Sequence, residues 1–175
     1  MATFKVDDLK SRLPGGGARA NLFRATVEFP GYADGDSNLV SFLCKSAQLP
    51  GSTVGTVPVP FRGQVLKVAG DRTYENWTVT IINDDLFKGR DAFERWMNGI
   101  NQNKTNQGLV SPVAYQTDMI VEQLTRDNAV SKTINIRGAF PIAISGIDLS
   151  YDTVDAIEEF TVEFAYQYWE SNTTS

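Results

Sequence analysis

Apolar and polar residues alternate with a period of two along much of this chain, most cleanly over 77–82. Trp77, Val79 and Ile81 fall on one face and Thr78 and Thr80 on the other, the pattern of a strand with one apolar side. With the preceding run from Val65, the pattern predicts an antiparallel hairpin folded about a polar turn at Gly70-Asp71-Arg72, where Gly-Asp can supply tight-turn backbone angles. Residues 21–29 predict another strand, with Phe23, Ala25, Val27 and Phe29 opposite Arg24, Thr26 and Glu28. Further strands are expected over 39–49, 118–126, 131–140, 143–151 and 156–169. In the last of these Phe160, Val162, Phe164, Tyr166 and Tyr168 point one way, and Glu159, Thr161, Glu163, Ala165 and Gln167 the other. That second face is polar and acidic, so it faces water or a water-filled space.

Two segments follow the helical period instead. Over 4–13, Val6, Leu9 and Leu13 recur among Asp7, Asp8, Lys10 and Arg12, predicting a short amphipathic helix stopped by Pro14-Gly15-Gly16-Gly17. A helix this short is marginal alone, so it docks either on its own domain or on a neighbouring subunit. From Leu86 onward, Phe87, Ala92, Phe93, Trp96, Met97 and Ile100 predict a longer helix, with Asp84-Asp85 as its N-terminal cap and the asparagine-rich segment 101–108 as its end. It is expected to cross an open end or edge of the sheets. Residues 50–62 differ in character: Pro50, Pro58, Pro60, Gly51 and Gly55 punctuate apolar Val54, Val57, Val59 and Phe61. Proline removes a ladder donor, so this is either a long hairpin loop or a projecting arm that contacts another copy. The whole reads as one domain over 1–175, α+β and mainly antiparallel, a sandwich or barrel.

Composition narrows the function. The 175 residues contain one cysteine, Cys44, and no histidine. Disulfides within the chain, cysteine zinc sites and histidine-based nucleophilic catalysis are therefore excluded. Cys44 follows an apolar run, as expected of a small buried side chain rather than a nucleophile. Asp34 and Asp36 resemble the start of a calcium loop but lack the ligand series and closing Glu, so a solvated turn is expected. Glu158 and Glu159, adjacent in a strand, face opposite ways and cannot share acid–base work. The Gly15–Gly17 run lacks the Lys and Ser/Thr of a phosphate loop. The expectation is a non-enzymatic protein without cofactor, soluble, made inside a cell and not binding membranes. A net charge of -5 argues against broad binding to nucleic-acid phosphates, while leaving room for an acidic surface past which DNA moves. One alternative is a β-sandwich that binds carbohydrate or a receptor through Trp77, Trp96 or Trp169.

The run Val68-Ala69-Gly70-Asp71-Arg72-Thr73, then Trp77-Thr78-Val79-Thr80 and Asn83-Asp84, resembles the tail tube proteins of contractile-tailed, T4-like bacteriophages. Asn21-Leu22-Phe23, Cys44-Lys45, Leu49-Pro50-Gly51 and Tyr168-Trp169-Glu170 follow the same family in order. The resemblance implies a two-sheet, barrel-like subunit with a flanking helix, six of which close into a ring. Rings would stack into a hollow virion tube that grows from baseplate initiating proteins around a tape-measure protein. A sheath would cover it, a terminator would end it, and phage DNA would pass through without specific binding. Before assembly the subunit would reside in the host cytoplasm. A baseplate-proximal tube initiator of the same fold is the nearest alternative. In this frame the expected subunit contacts are Val6, Leu9 and Leu13, the arm residues Val54, Val57, Val59 and Phe61, and the polar group Asp71, Arg72 and Thr73. Glu159 and Glu163 either line the lumen or lie on an ordinary exterior face. Thr173–Ser175 and the 34–38 turn are expected to depart from relatives.

Overall fold

Segments whose apolar residues alternate become strands with those residues turned inward. The structure is a computed structural model that describes residues 5–13 and 16–174. In chain order it forms α1 (Val6–Arg12), β1 (Phe23–Val27), a 3-10 turn (Gly31–Ala33), α2 (Ser37–Leu43), β2 (Cys44–Ala47), β3 (Thr53–Phe61), β4 (Gln64–Thr73) and β5 (Trp77–Ile82). Then come α3 (Lys88–Ile100), α4 (Pro112–Tyr115), β6 (Thr117–Leu124), β7 (Val130–Ile144), β8 (Glu159–Ala165) and β9 (Tyr168–Ser171). The start of the predicted first helix at Phe4, its stop at Pro14-Gly15, and Ser175 lie outside the described residues.

Strands run in the order β1-β6-β7-β8-β5-β2, with β9 added to β7 and, among the described residues, β3 paired only with β4. All pairings are antiparallel. The 15-residue β7 joins two layers: Ile134–Arg137 pair with β9 and lie beside β6, whereas Phe140–Ile144 pair with β8. Gly138 sits between these halves at φ +62°, a conformation that suits glycine. Asp118 fastens the bend, accepting from the Gly138 N–H at 3.1 Å and from the Arg137 guanidinium, which also reaches Glu170 on β9 at 3.5 Å. Two sheets sharing one bent strand give the sandwich with barrel character that the pattern predicts.

Between the layers, β5 and β8 match apolar residue to apolar residue: Trp77 opposite Phe164, Val79 opposite Val162, Ile81 opposite Phe160. Ala25, Val27, Met119, Val121, Ile134 and Ile136 supply the facing layer, all buried. Helix α3 inserts Phe93 and Trp96 among them. The Phe93 ring centroid lies 4.9 Å from Phe29, 6.2 Å from Phe160 and 6.0 Å from Phe164. Asp84 caps this helix through the N–H groups of Lys88 and Gly89, both at 3.2 Å, as the sequence suggests.

Four expectations are corrected. Gly70-Asp71-Arg72 is not a turn and β4 does not pair with β5; these residues lie inside β4, which folds back on β3 about Arg62-Gly63. The 39–49 segment is not one strand. Its first part is α2, because the Asp36 carboxylate accepts from the N–H groups of Asn38 and Leu39 at 3.0 and 3.1 Å and nucleates a helix, leaving β2 only Cys44–Ala47. Asp36 is thereby a helix cap rather than part of a plain solvated turn. The predicted strand 143–151 ends at Ile144, its start being the end of β7. Finally, 156–169 is broken at Tyr166-Gln167, where the chain crosses from the β8 layer to the β9 layer. The alternation slips there, so Tyr168 is exposed and Trp169 packs against the core.

Candidate assembly surface

Strands β3 and β4 form an arm built from the proline- and glycine-punctuated segment. Arg62 and Gly63 both take positive φ, +46° and +84°, giving the two-residue turn whose twist suits a hairpin. Pro58 and Pro60 are tolerated because β3 has no second neighbour strand among the described residues. Val57 opposite Val68, Val59 opposite Leu66 and Phe61 opposite Gln64 share one face. Thr56 opposite Ala69, Pro58 opposite Lys67 and Pro60 opposite Val65 share the other. Near the base, Gly70 and Asp71 stand opposite Gly55 in a bulge. A Cβ on Gly70 would lie 3.2 Å from the Gly55 carbonyl carbon, so glycine allows the strands to close there.

Every arm residue except half-buried Gly70 is exposed, with Phe61 at 66% and Leu66 at 63%. An isolated two-stranded hairpin is at best marginally stable in water, and contiguous exposed apolar residues mark interaction surfaces. Its root, by contrast, is held firmly. The indole N–H of Trp77 donates to the Gln48 carbonyl at 2.7 Å, and that of Trp169 to the Gly51 carbonyl at 3.1 Å. On the outgoing side Tyr74 lies 5.9 Å from the Tyr166 ring, and the Asn76 side chain donates to Glu163 at 2.7 Å. The sequence reading missed this clamp, because Trp169 lies about a hundred residues beyond the arm and meets its root only through long-range strand pairing.

The remaining predicted contact residues are not gathered with the arm. Val6, Leu9 and Leu13 are exposed, and α1 buries no residue at all. Arg72 and Thr73 belong to the base of the arm, opposite Val54 and Thr53, and Asp71 sits in the bulge. Glu159 and Glu163 lie on the outward face of β8 beside Thr161, with Thr78 and Thr80 of β5 next to them. The Glu159 carboxylate is bound by Lys45, which matches its charge within the protomer. Cys44 is half-buried and its burial pushes the thiol pKa up to about 11, unlike an activated nucleophile. Trp77 and Trp96 are buried, which leaves neither as an exposed stacking platform.

Residues 9–172 match the family described as phage tail tube protein. The chain belongs to the phage tail tube protein family. Tail tube protein gp19 of Enterobacteria phage T4 is 34% identical over 168 residues, covering 94% of this chain and 99% of the phage T4 protein. In fold, the chain resembles the anti-feeding prophage cap (TM-score 0.67, 17% identity, 91% and 92% of the two chains covered). It also resembles a chain of the PVC sheath–tube complex of an extracellular contractile injection system in its extended state (TM-score 0.63, 15% identity, 97% and 99% covered). As a tail tube protein of a contractile phage tail, it is a structural part of the virion and not an enzyme.

Proposed function

We propose that six copies of this chain, each acting as one tube unit over 1–175, close into a ring. Rings stack into the rigid inner tube of the contractile tail, through which DNA passes at infection. The observation that carries this reading is the arm: a ribbon exposed on both faces, rooted rigidly, and too apolar to end in water. A second copy that covers it removes this surface from water. Such a contact is head-to-tail, so repetition around an axis closes a ring and repetition along it extends a tube. Val54, Val57, Val59 and Phe61, with Asp71, Arg72 and Thr73 at the base, form the arm's contact set, and Val6, Leu9 and Leu13 on α1 form a stacking contact.

The same reading supplies the partners. The sheath protein covers the outside, as the name of the sheath–tube complex supports. Baseplate proteins initiate the tube, a tape-measure protein occupies it during growth, a terminator caps it, and DNA slides through unbound. The free subunit waits in the host cytoplasm. The outward face of β5 and β8, with Thr78, Thr80, Thr161, Glu159 and Glu163, lines the lumen. Because Lys45 balances Glu159, Glu163 carries more of the repulsion toward phosphate.

Negative-stain microscopy of the purified protein tests assembly directly: hollow tubes or six-fold rings are expected, and persistent monomers at high concentration contradict the reading. Removing residues 1–13 should leave a folded subunit that polymerises poorly; normal tubes from that truncation remove α1 as a stacking element. For the lumen, the pair Glu159→Lys and Glu163→Lys should slow DNA ejection from assembled virions at low salt. Unchanged ejection there would place both carboxylates elsewhere.

A further inference from the structure

The connection between β7 and β8 exposes apolar residues that nothing among the described residues covers. Residues 145–158 form no strand or helix, yet Leu149 is 78% exposed, Val154 77%, Ile157 72% and Tyr151 fully exposed. Its ends are fixed. The Ser145 N–H donates to the Thr161 carbonyl at 2.8 Å, Arg90 donates to the Ser145 carbonyl at 3.1 Å, and Asn83 grips Glu158 through both backbone and side chain. The middle is a small turn in which the Thr153 N–H donates to the Ser150 carbonyl at 3.3 Å. The segment is thus anchored at both ends, with Ile147 against the core and Leu149, Tyr151, Val154 and Ile157 facing solvent, an arrangement suited to an interface.

Charge identifies what fits it. The connection carries Asp148, Asp152, Asp155 and Glu158 and no lysine or arginine. The arm has the opposite balance, Arg62, Lys67 and Arg72 against the single acid Asp71, on a chain whose net charge is -5. Register places Lys67 on the same arm face as Pro58, Pro60 and Val65. Beyond the bulge, Arg72 and Val54 pair on that same side. This mixed basic and apolar face matches the mixed acidic and apolar connection. Among the described residues, neither Lys67 and Arg72 nor Asp148, Asp152 and Asp155 form an ion pair within the protomer.

We infer that the Val54–Val65–Lys67–Arg72 face of the arm docks on the 145–158 connection of a second copy. This rests on the reading of the arm as a contact between copies and names the surface it meets. One protomer carries both halves of the contact, so the contact repeats from copy to copy. Leu149, Tyr151, Val154 and Ile157 cover the arm's apolar residues. The exposed acids pair with Lys67 and Arg72 and set the register, so salt weakens the contact.

Charge reversal on each side tests this. The arm variant is Lys67→Glu with Arg72→Glu, and the connection variant is Asp148→Lys with Asp152→Lys. Each alone should raise the concentration needed for polymerisation by more than about tenfold, and the chain carrying all four should return close to wild type. A mixture of the two inert variants should also form tubes, because each supplies the half the other needs. If arm reversal blocks assembly while connection reversal does not, the arm still joins copies but docks elsewhere, and this inference falls. If neither reversal matters, the arm itself is not the contact. If the four-fold variant stays monomeric, the pairing is wrong. In case reversal disturbs folding, Val65→Cys with Val154→Cys in a Cys44→Ala background gives an independent readout. Mild oxidation should then link chains to one another in assembled material, and absence of such links overturns the proposal.

Discussion

Cys44 shows how burial alone decides a residue's chemistry. Folding raises its thiol pKa from 9.0 to about 11, through desolvation that outweighs an opposing backbone hydrogen bond at Ser46. The folded state holds this proton more tightly than the unfolded chain, so the contribution to stability is complete below pH 9 and is lost between pH 9 and 11. Tyr32, pushed to about 12 by burial, extends the loss upward from pH 10. Melting temperature should therefore stay level up to about pH 9 and then decline. Cys44→Ala should flatten the decline between pH 9 and 11; an unchanged slope would mean that the thiol does not titrate as described. Single residues also explain one misreading. Gly70 and Asp71 are ordinary turn residues, but a bulge calls for the same small residue where backbones approach closely, so composition does not separate the two.

At the scale of elements, the clearest reading came from strands that lie wholly within one layer. β1, β5 and the body of β8 kept the alternation that their sequences display, and α3 buried the apolar stripe its spacing predicts. Legibility failed where an element changes layer or faces outward. The bend in β7 and the slip between β8 and β9 depend on long-range pairing that no local pattern encodes. Leu149 and Tyr151 alternate like strand residues although no strand forms there, so period-two spacing does not by itself mark a sheet. The 39–43 run is too short for periodicity to distinguish helix from strand, and the deciding signal was the cap at Asp36. The assembly arm was legible as a segment, whereas its root was not. Trp169→Phe deletes one indole donor to Gly51 and should cost about 1 kcal/mol of monomer stability. Tube growth should slow well beyond that loss, because the arm's direction is released; growth unchanged from wild type would show that the indole only packs.

For the whole molecule, the sequence carried fold and family further than surface detail. Closing the β5–β8 face over α3 accounts for the apolar half of the pattern, and the arm and the β7–β8 connection hold many, though not all, of the apolar residues left in water. A monomer with an uncovered ribbon is one part of a larger object. Hydrogen–deuterium exchange of the free subunit and of assembled tubes puts this to the test. The amides of β5 and β8 should be protected in both states, while those of β3 and β4 should exchange rapidly in the free subunit and become protected on assembly. Equal exchange of the arm in the two states would contradict the claim that another copy completes it.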